Sequence, residues 1–438
     1  MTTTLTLQTY FDQAWHDAAH LSINIDEKTV TLHYLQDYAL PNLFQQLETA
    51  CSVNLPVELM LNYESQGWFN FIQDILPSGS SRRYWVERLG INHLSQWEQD
   101  IELLQKAVIA PVGNLRIKEA LPERHEDNLE AITFAQNDVV ERHVDFLEYA
   151  QEMGAISGGA TGAGGEAPKL LVRLNKDNNV WIDTFQNDPT NLDRHYLVKF
   201  PRSQMTDWDC NILRAEYAFL KELSHLNQNS IDAAHSFLIE GERFPSLWLP
   251  RFDVGYSSNQ VNRYGLESLY SIIDKPGGNL NHFEVLDAVH QHLNNLPGYH
   301  PQYFAEEWVK RDLLNVIFAN SDNHGRNTAF IKKHGQITLS PIFDFAPMKA
   351  DLDGIIRTIK WGRPFEAGGE FDWQGIINYL DDNLYERDAI WENLKNTASQ
   401  LIGLKQRLIE KGAAEELLNI PALGMNTIET RLKKWALI

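Results

Sequence analysis

The stretch from Asp322 to Asp344 constrains this chain more than any other. A short apolar run, Thr328-Ala329-Phe330-Ile331, is followed by Lys332-Lys333-His334-Gly335-Gln336 and then by Ile337-Thr338-Leu339. That pattern reads as strand, turn, strand. A hairpin about His334-Gly335 brings Asn327, which precedes its first strand, alongside Pro341-Ile342-Phe343-Asp344, which follows its second. Two oxygen-bearing side chains then converge at one end of a rigid element.

Magnesium favours such a donor set. It prefers oxygen ligands, keeps several waters, and takes one or two protein carboxylates or amides together with substrate phosphates. Phosphoryl transfer in turn needs cationic groups on the phosphates and a carboxylate that holds the acceptor hydroxyl in line. Asp322 precedes Asn327 by five residues, the offset between the catalytic Asp and the metal-binding Asn of the protein-kinase catalytic loop. Asp344-Phe345-Ala346 occupies the place of the kinase Asp-Phe-Gly. Taken singly, Asp-Asn-His-Gly is an ordinary turn and Asp-Phe is a common pair. Joined by the hairpin, they point to a magnesium–nucleotide site.

Upstream, residues 154–165 are dominated by glycine, and Lys169-Leu170-Leu171-Val172-Arg173 and Tyr196-Leu197-Val198-Lys199-Phe200 follow as strand-like runs. A glycine-rich turn leading into strands suits phosphate binding better than a tether. Helical spacing is expected over Asn137–Met153, Asn211–Leu226, Phe283–Leu296 and Phe304–Phe318. Leu247–Asp253 reads as a strand ending at Pro250. The expected class is therefore α+β: a two-lobed protein-kinase-like fold with an additional N-terminal subdomain and a mostly helical C-terminal lobe. Its parts are an N-terminal module over 1–136, an N-lobe over 137–255 and a C-lobe over 256–438.

Composition excludes several other classes. A chain of 438 residues exceeds a single core, and 43% hydrophobic content argues for folded domains rather than disorder. The net charge of −21 argues against direct nucleic-acid binding by the chain alone, a local patch around Arg82 and Arg83 aside. Two cysteines, Cys51 and Cys210, provide neither a disulfide framework nor a Cys-rich zinc site. No secretory leader or membrane span is expected, which makes the cytoplasm the expected compartment.

Together these residues resemble the HipA family of serine/threonine kinases, the toxin halves of bacterial toxin–antitoxin pairs. The family signature Asp-x-His-x-x-Asn, followed by an aromatic–Asp pair, is matched by Asp322, His324, Asn327 and Phe343-Asp344. Residues 164–169 resemble the family's Gly-rich loop, Leu197–Pro201 the strand bearing the ATP-contacting lysine, and Ala215-Glu216-Tyr217 the following helix. Arg251-Phe252-Asp253 resembles the hinge against which adenine sits. Residues 75–79 with Arg82, and 111–115, resemble segments that precede the kinase core.

The resemblance implies ATP and Mg2+ as cofactors and a role for each residue. Asp322 would orient or deprotonate the acceptor hydroxyl, with His324 as helper. Asn327 and Asp344 would hold magnesium. Lys199, paired with Glu216, would clamp phosphates beneath the backbone of Gly162, Gly164 and Gly165, and Phe252 and Asp253 would border adenine. Family members can autophosphorylate a serine in this loop. Counting back from Lys169 puts that position near Gly162, which has no hydroxyl; Thr161 is adjacent and Ser157 more distant. Proline at 250 removes one hinge donor, and Phe345-Ala346-Pro347 replaces the glycine after the metal-binding Asp.

The implied partners are a protein substrate, expected to be translation-related, and a DNA-binding antitoxin of the HipB type. Two other readings stand beside this one. A small-molecule kinase of the aminoglycoside phosphotransferase type would carry histidine where this chain has Asn320. A non-catalytic nucleotide-binding regulator in a repressor complex would not need all three side chains.

Overall fold

Asp12 and Gln13, both at positive φ (46° and 63°), make the two-residue turn that pairs strands β1 (Thr2–Phe11) and β2 (Ala14–Asn24). That turn geometry matches the natural twist of a hairpin. With β3 (Thr29–Tyr34), β4 (Tyr63–Gln66) and β5 (Leu115–Ile117) they form an antiparallel sheet in the order β4-β3-β2-β1-β5. Alternate residues such as Leu21, Ile23, Val30 and Leu32 are buried, the period-two pattern of a sheet with one covered face. Helices α1 (Gly79–Arg88) and α2 (Gln96–Lys106) lie between β4 and β5 in the chain. Arg82 is matched by Asp100 at 2.5 Å, which offsets the basic patch expected there. The computed structural model describes residues 1–122, 132–152, 168–202 and 204–438.

The N-lobe is a six-stranded antiparallel sheet of β6 (Phe134–Ala135), β7 (Lys169–Leu174), β8 (Asn179–Trp181), β9 (Arg194–Lys199), β10 (Phe237–Glu240) and β11 (Pro245–Pro250). Their order is β10-β11-β9-β7-β8-β6, so this sheet already begins at Phe134. The single helix expected over Asn137–Met153 is instead two, α3 (Gln136–Val140) and α4 (Val144–Glu152). Arg142 sits at φ 54°, and the amides of His143 and Arg142 close back on Asp138 and Val139 at 2.9 and 3.2 Å. That is a Schellman stop, with arginine where glycine is usual. The helical periodicity ran through the break, and Val144 is left exposed.

Helix α5 (Asp207–His225) starts four residues before its expected Asn211 because Thr206 and Asp209 form a capping box. It packs Leu213 and Leu220 toward the N-lobe sheet and Phe219 and Leu223 into the C-lobe core. The C-lobe contains β12 (Val254–Ser257) and β13 (Gln260–Arg263), then β14 (Gly265–Ser268), α6 (His282–Leu293) and α7 (Pro301–Ile317). Proline at the first position of α7 needs no N–H partner there. Phe304, Trp308, Val309, Leu313, Ile317 and Phe318 are all buried, as their spacing predicts. Strands β15 (Ala329–Lys333) and β16 (Gln336–Leu339) form the expected hairpin, with His334 at φ 53° and Gly335 at φ 70°. Helices α8 (Arg387–Gln400) and α9 (Leu404–Glu410) follow.

The N-terminal module has its own core, yet it is knitted to the kinase-like body. Ser52 and the Val53 amide donate to Glu267 at 2.7 and 3.0 Å. Asn54 reaches the carbonyl of Ser271 at 2.9 Å, and the Ser268 amide donates to Asp74 at 2.8 Å. No helix among the described residues is long and apolar enough to cross a membrane.

Candidate active site

One helix end and one hairpin set the loop that carries Asp322 and Asn327. Helix α7 stops at Ala319, φ 58°, where the Asn320 amide closes back on Asn315 at 2.9 Å. The chain then runs through Asp322, Asn323 and His324 before entering β15. Asn323 uses its whole amide on a neighbouring segment: Nδ2 donates to the Ile359 carbonyl at 2.8 Å, and Oδ1 accepts from the Thr358 amide at 2.9 Å. Gly325 is required by packing, since a Cβ there would lie 2.8 Å from the Tyr270 ring. The loop is thus held from both sides.

Within it, Asn327 Nδ2 donates to the Asp322 carbonyl at 2.8 Å, so Oδ1 is the amide atom left to ligate a cation. His324 Nδ1 accepts the Arg326 amide at 3.2 Å. The proton of a neutral ring therefore sits on Nε2, which faces Asp322 Oδ1 at 3.4 Å. Asp322 keeps about a quarter of its side chain exposed, 26%. The Asp344 side chain, at 23%, is exposed to a similar degree.

Asp344 lies across the cleft, after the hairpin. Its backbone is left-handed, φ 51°, a conformation short polar residues tolerate better than bulky ones. Lys199 on β9 bridges two acids, donating to Glu216 on α5 and to Asp344 Oδ1, each at 2.5 Å. Lys169, at the head of β7, donates to Asp344 Oδ2 at 3.2 Å. The two lysines face one another in register across β7 and β9. Two ammonium and two carboxylate groups thus share one buried junction.

The electrostatics follow from that arrangement. Burial would raise the Asp344 pKa, but Lys169 and Lys199 outweigh it and hold the carboxyl well below its usual range. Burial would lower the Lys199 pKa, and Asp344 and Glu216 reverse the sign, so it is raised. For Lys169 burial prevails over Asp344, and its pKa is lowered.

A single cleft gathers Lys169, Lys199, Glu216, Asp322, His324, Asn327 and Asp344. Arg202 and Arg326 line it as well, and Ser78 and Gly79 bring the N-terminal module to it. An adjoining apolar pocket is lined by Val112, Leu197, Leu249, Leu266, Phe252 and Phe343, with Lys199 and Asp344 at its inner end. Phe252 stacks on Phe343 with ring centroids 5.4 Å apart. Asp253 borders this pocket, but its carboxylate holds Arg251 and accepts the Gly113 amide at 2.7 Å. That occupies it with the junction to the N-terminal module. Gly162, Gly164, Gly165, Thr161 and Ser157 lie outside the described residues.

The donor set fits magnesium. Asn327 Oδ1 and the Asp344 carboxylate are hard oxygen ligands, and phosphates complete such a sphere. Among the described residues no group of three or more His, Cys, Asp or Glu side chains is gathered. Sequence reasoning missed Lys169, Asn323 and Ser78 as parts of the site. For Lys169 a signal existed: a lysine heading an apolar strand that pairs with the strand of Lys199. For the other two none did, because their contacts are set by segments distant in the chain.

Residues 161–401, more than half of the chain, match the family described as HipA-like C-terminal domain. Among solved structures, a HipA from Shewanella oneidensis, in complex with HipB and its operator DNA, is similar over 99% of this chain and 97% of that one. The TM-score is 0.64 at 16% identity, a likeness of fold. The Helicobacter pylori proinflammatory kinase CtkA is similar over 62% of this chain and 89% of that one. Its TM-score of 0.38 at 13% identity is too low to carry an argument. No curated protein matches the sequence.

Proposed function

The chain belongs to the family of the HipA-like C-terminal domain, and we propose that it is an ATP- and Mg2+-dependent serine/threonine protein kinase. One observation carries the reading: Lys199 joins Glu216 to Asp344 inside the cleft that also holds Asp322 and Asn327. A structural ion pair has no need of a neighbouring, partly exposed carboxylate, whereas phosphoryl transfer needs both.

In this reading the adenine enters beside Phe252, where the apolar pocket of about 30 Å³ has to open to admit it, and the triphosphate points toward Lys199 and Lys169. Both lysines supply positive charge to the phosphates from fixed strands, with little reorganisation. Asn327 and Asp344 would hold magnesium, which supplies charge neutralisation on the phosphoryl oxygens. Asp322 accepts the proton of the acceptor hydroxyl as its oxygen attacks the terminal phosphorus and the bond to the leaving diphosphate breaks. The His324 Nε2 proton faces the same carboxylate and keeps it turned to the cleft.

The acceptor is proposed to be a cytosolic, translation-related protein whose phosphorylation arrests growth. A DNA-binding antitoxin of the HipB type is the proposed partner, by analogy with the Shewanella complex. The test is incubation of the purified chain with γ-labelled ATP, magnesium and a bacterial lysate, followed by mass spectrometry of labelled proteins. Phosphoserine or phosphothreonine on a protein supports the reading; label appearing only on small molecules contradicts it.

A further inference from the structure

Glu222 is fully buried, 0% exposed, on the same helix α5 that carries Glu216. Six residues separate them, which places them roughly 120° apart around the helix axis. Glu216 therefore faces the cleft and the N-lobe, while Glu222 faces the C-lobe. There its Oε1 accepts from Arg407 Nε at 2.7 Å and its Oε2 pairs with Lys411 Nζ at 2.8 Å. Arg407 continues the network by donating to the carbonyls of Ile402 and Gln400 at 2.6 and 2.8 Å.

The rest of α5 is tied to the same lobe. Lys221 donates to the Lys411 carbonyl at 2.6 Å, and Asn211 to Glu416 at 2.9 Å. Near the helix start, Trp208 Nε1 donates to the Ala350 carbonyl at 3.0 Å. Phe219 meets Phe318 edge-on with centroids 4.9 Å apart. On its other side α5 holds the N-lobe through Glu216–Lys199, Arg214–Glu240 and the Tyr217 hydroxyl.

Apolar residues at 222, 407 and 411 would hold the lobes together at a lower desolvation cost than a buried carboxylate. What a buried, two-partner carboxylate adds is a fixed rotation and height of the helix. We infer that Glu222, with Arg407 and Lys411, is a positioning group for phosphoryl transfer. It fixes α5 on the C-lobe so that Glu216 and Lys199 are held ready at Asp344. This rests on the kinase reading for its consequence, but not for its geometry.

The experiment combines kinetics with hydrogen exchange on the full chain, using ATP and magnesium as the probe. Glu222→Gln is isosteric and is expected to lower kcat about tenfold, with a smaller change in the KM for ATP. In a Glu216→Gln background the same change is expected to do nothing further, because it acts through Glu216. Amides 213–218 are expected to exchange faster in Glu222→Gln, while those of α7 stay unchanged. Lys411→Met, at a side chain 22% exposed, repeats the test if Glu222→Gln fails to fold. Additive losses in the double variant, or unchanged exchange over 213–218, would overturn the inference. If the wild type transfers no phosphate, the exchange result still decides whether the anchor exists, and the kinase reading fails separately.

Discussion

Among the described residues, two lysine–carboxylate clusters have lysine side chains at most 2% exposed, and one of these opens onto a cleft. At the first, Lys199 and Lys169 share Asp344, with Glu216 behind them, and all four residues line the cleft. At the second, Lys332 on β15 pairs with Glu267 on β14 at 3.1 Å, with exposures of 0% and 1%. Glu267 is saturated by Ser52, the Val53 amide and Ser271, and Lys332 also reaches the Ala50 carbonyl. The second cluster fastens the N-terminal module to the strand beside the catalytic hairpin. Burial and ion pairing are common to both, so neither identifies a site. Access does: the first presents its charges to a space large enough for a ligand, and the second turns its charges to the fold.

That contrast predicts opposite consequences for equivalent substitutions. Lys199→Met is expected to lower phosphate transfer by roughly 10²–10³-fold while the melting temperature changes modestly, measured by initial rates and calorimetry. Lys332→Met is expected to reverse the pattern. It leaves Glu267 buried without its cation and costs about 3–5 kcal/mol of stability in denaturant titration, with transfer per folded molecule nearly unchanged. Equal losses of rate and stability in both variants would break the comparison.

Asp74 sharpens it from a third side. It is buried against the Ser268 amide, one residue from Glu267, and belongs to the N-terminal module. Burial pushes its pKa from 3.8 up to about 6, against hydrogen bonds from Ser268 and the charge of Arg326. A carboxyl with a raised folded pKa binds more protons folded than unfolded, so its contribution is fully present below 3.8 and is lost as pH rises through about 6. That amounts to about 3 kcal/mol over the window. Asp74→Asn is expected to be more stable than wild type at pH 7 and to remove this fall from the difference curve. A wild-type-minus-variant difference flat between pH 4 and 7 would count against the assignment.

A smaller effect belongs to His324. If its Nε2 proton orients Asp322, His324→Gln is expected to lower kcat about tenfold, because an amide still donates but from another position. No change in kcat would leave it as a structural partner of Arg326.

Much of this site was legible because its strongest signals are local. The turn at His334-Gly335, the five-residue spacing of Asp322 and Asn327, and the apolar strand ending in Lys199 each lie within one short stretch. The helix break at Arg142 was not legible, since arginine in a left-handed stop carries no sequence signature. Asn323, Asp74 and Glu222 were not legible either. Their roles come from partners 36, 194 and 185 residues away, and periodicity says nothing about such pairings. Asp253 is the instructive intermediate: its place beside the apolar pocket followed from the chain order, whereas its occupation by Arg251 and Gly113 did not.

Asp322, Asn327 and Asp344, with Lys199, are proposed to transfer phosphate. The most direct measurement is transfer from γ-labelled ATP in magnesium by wild type and by Asp322→Asn, at matched folded concentration and with ATP binding measured in parallel. The expected result is labelled protein with wild type, loss of label by at least roughly 10²-fold in the variant, and ATP affinity within a few-fold of wild type. ATP binding by wild type without any transfer, or undiminished transfer by Asp322→Asn, would contradict it.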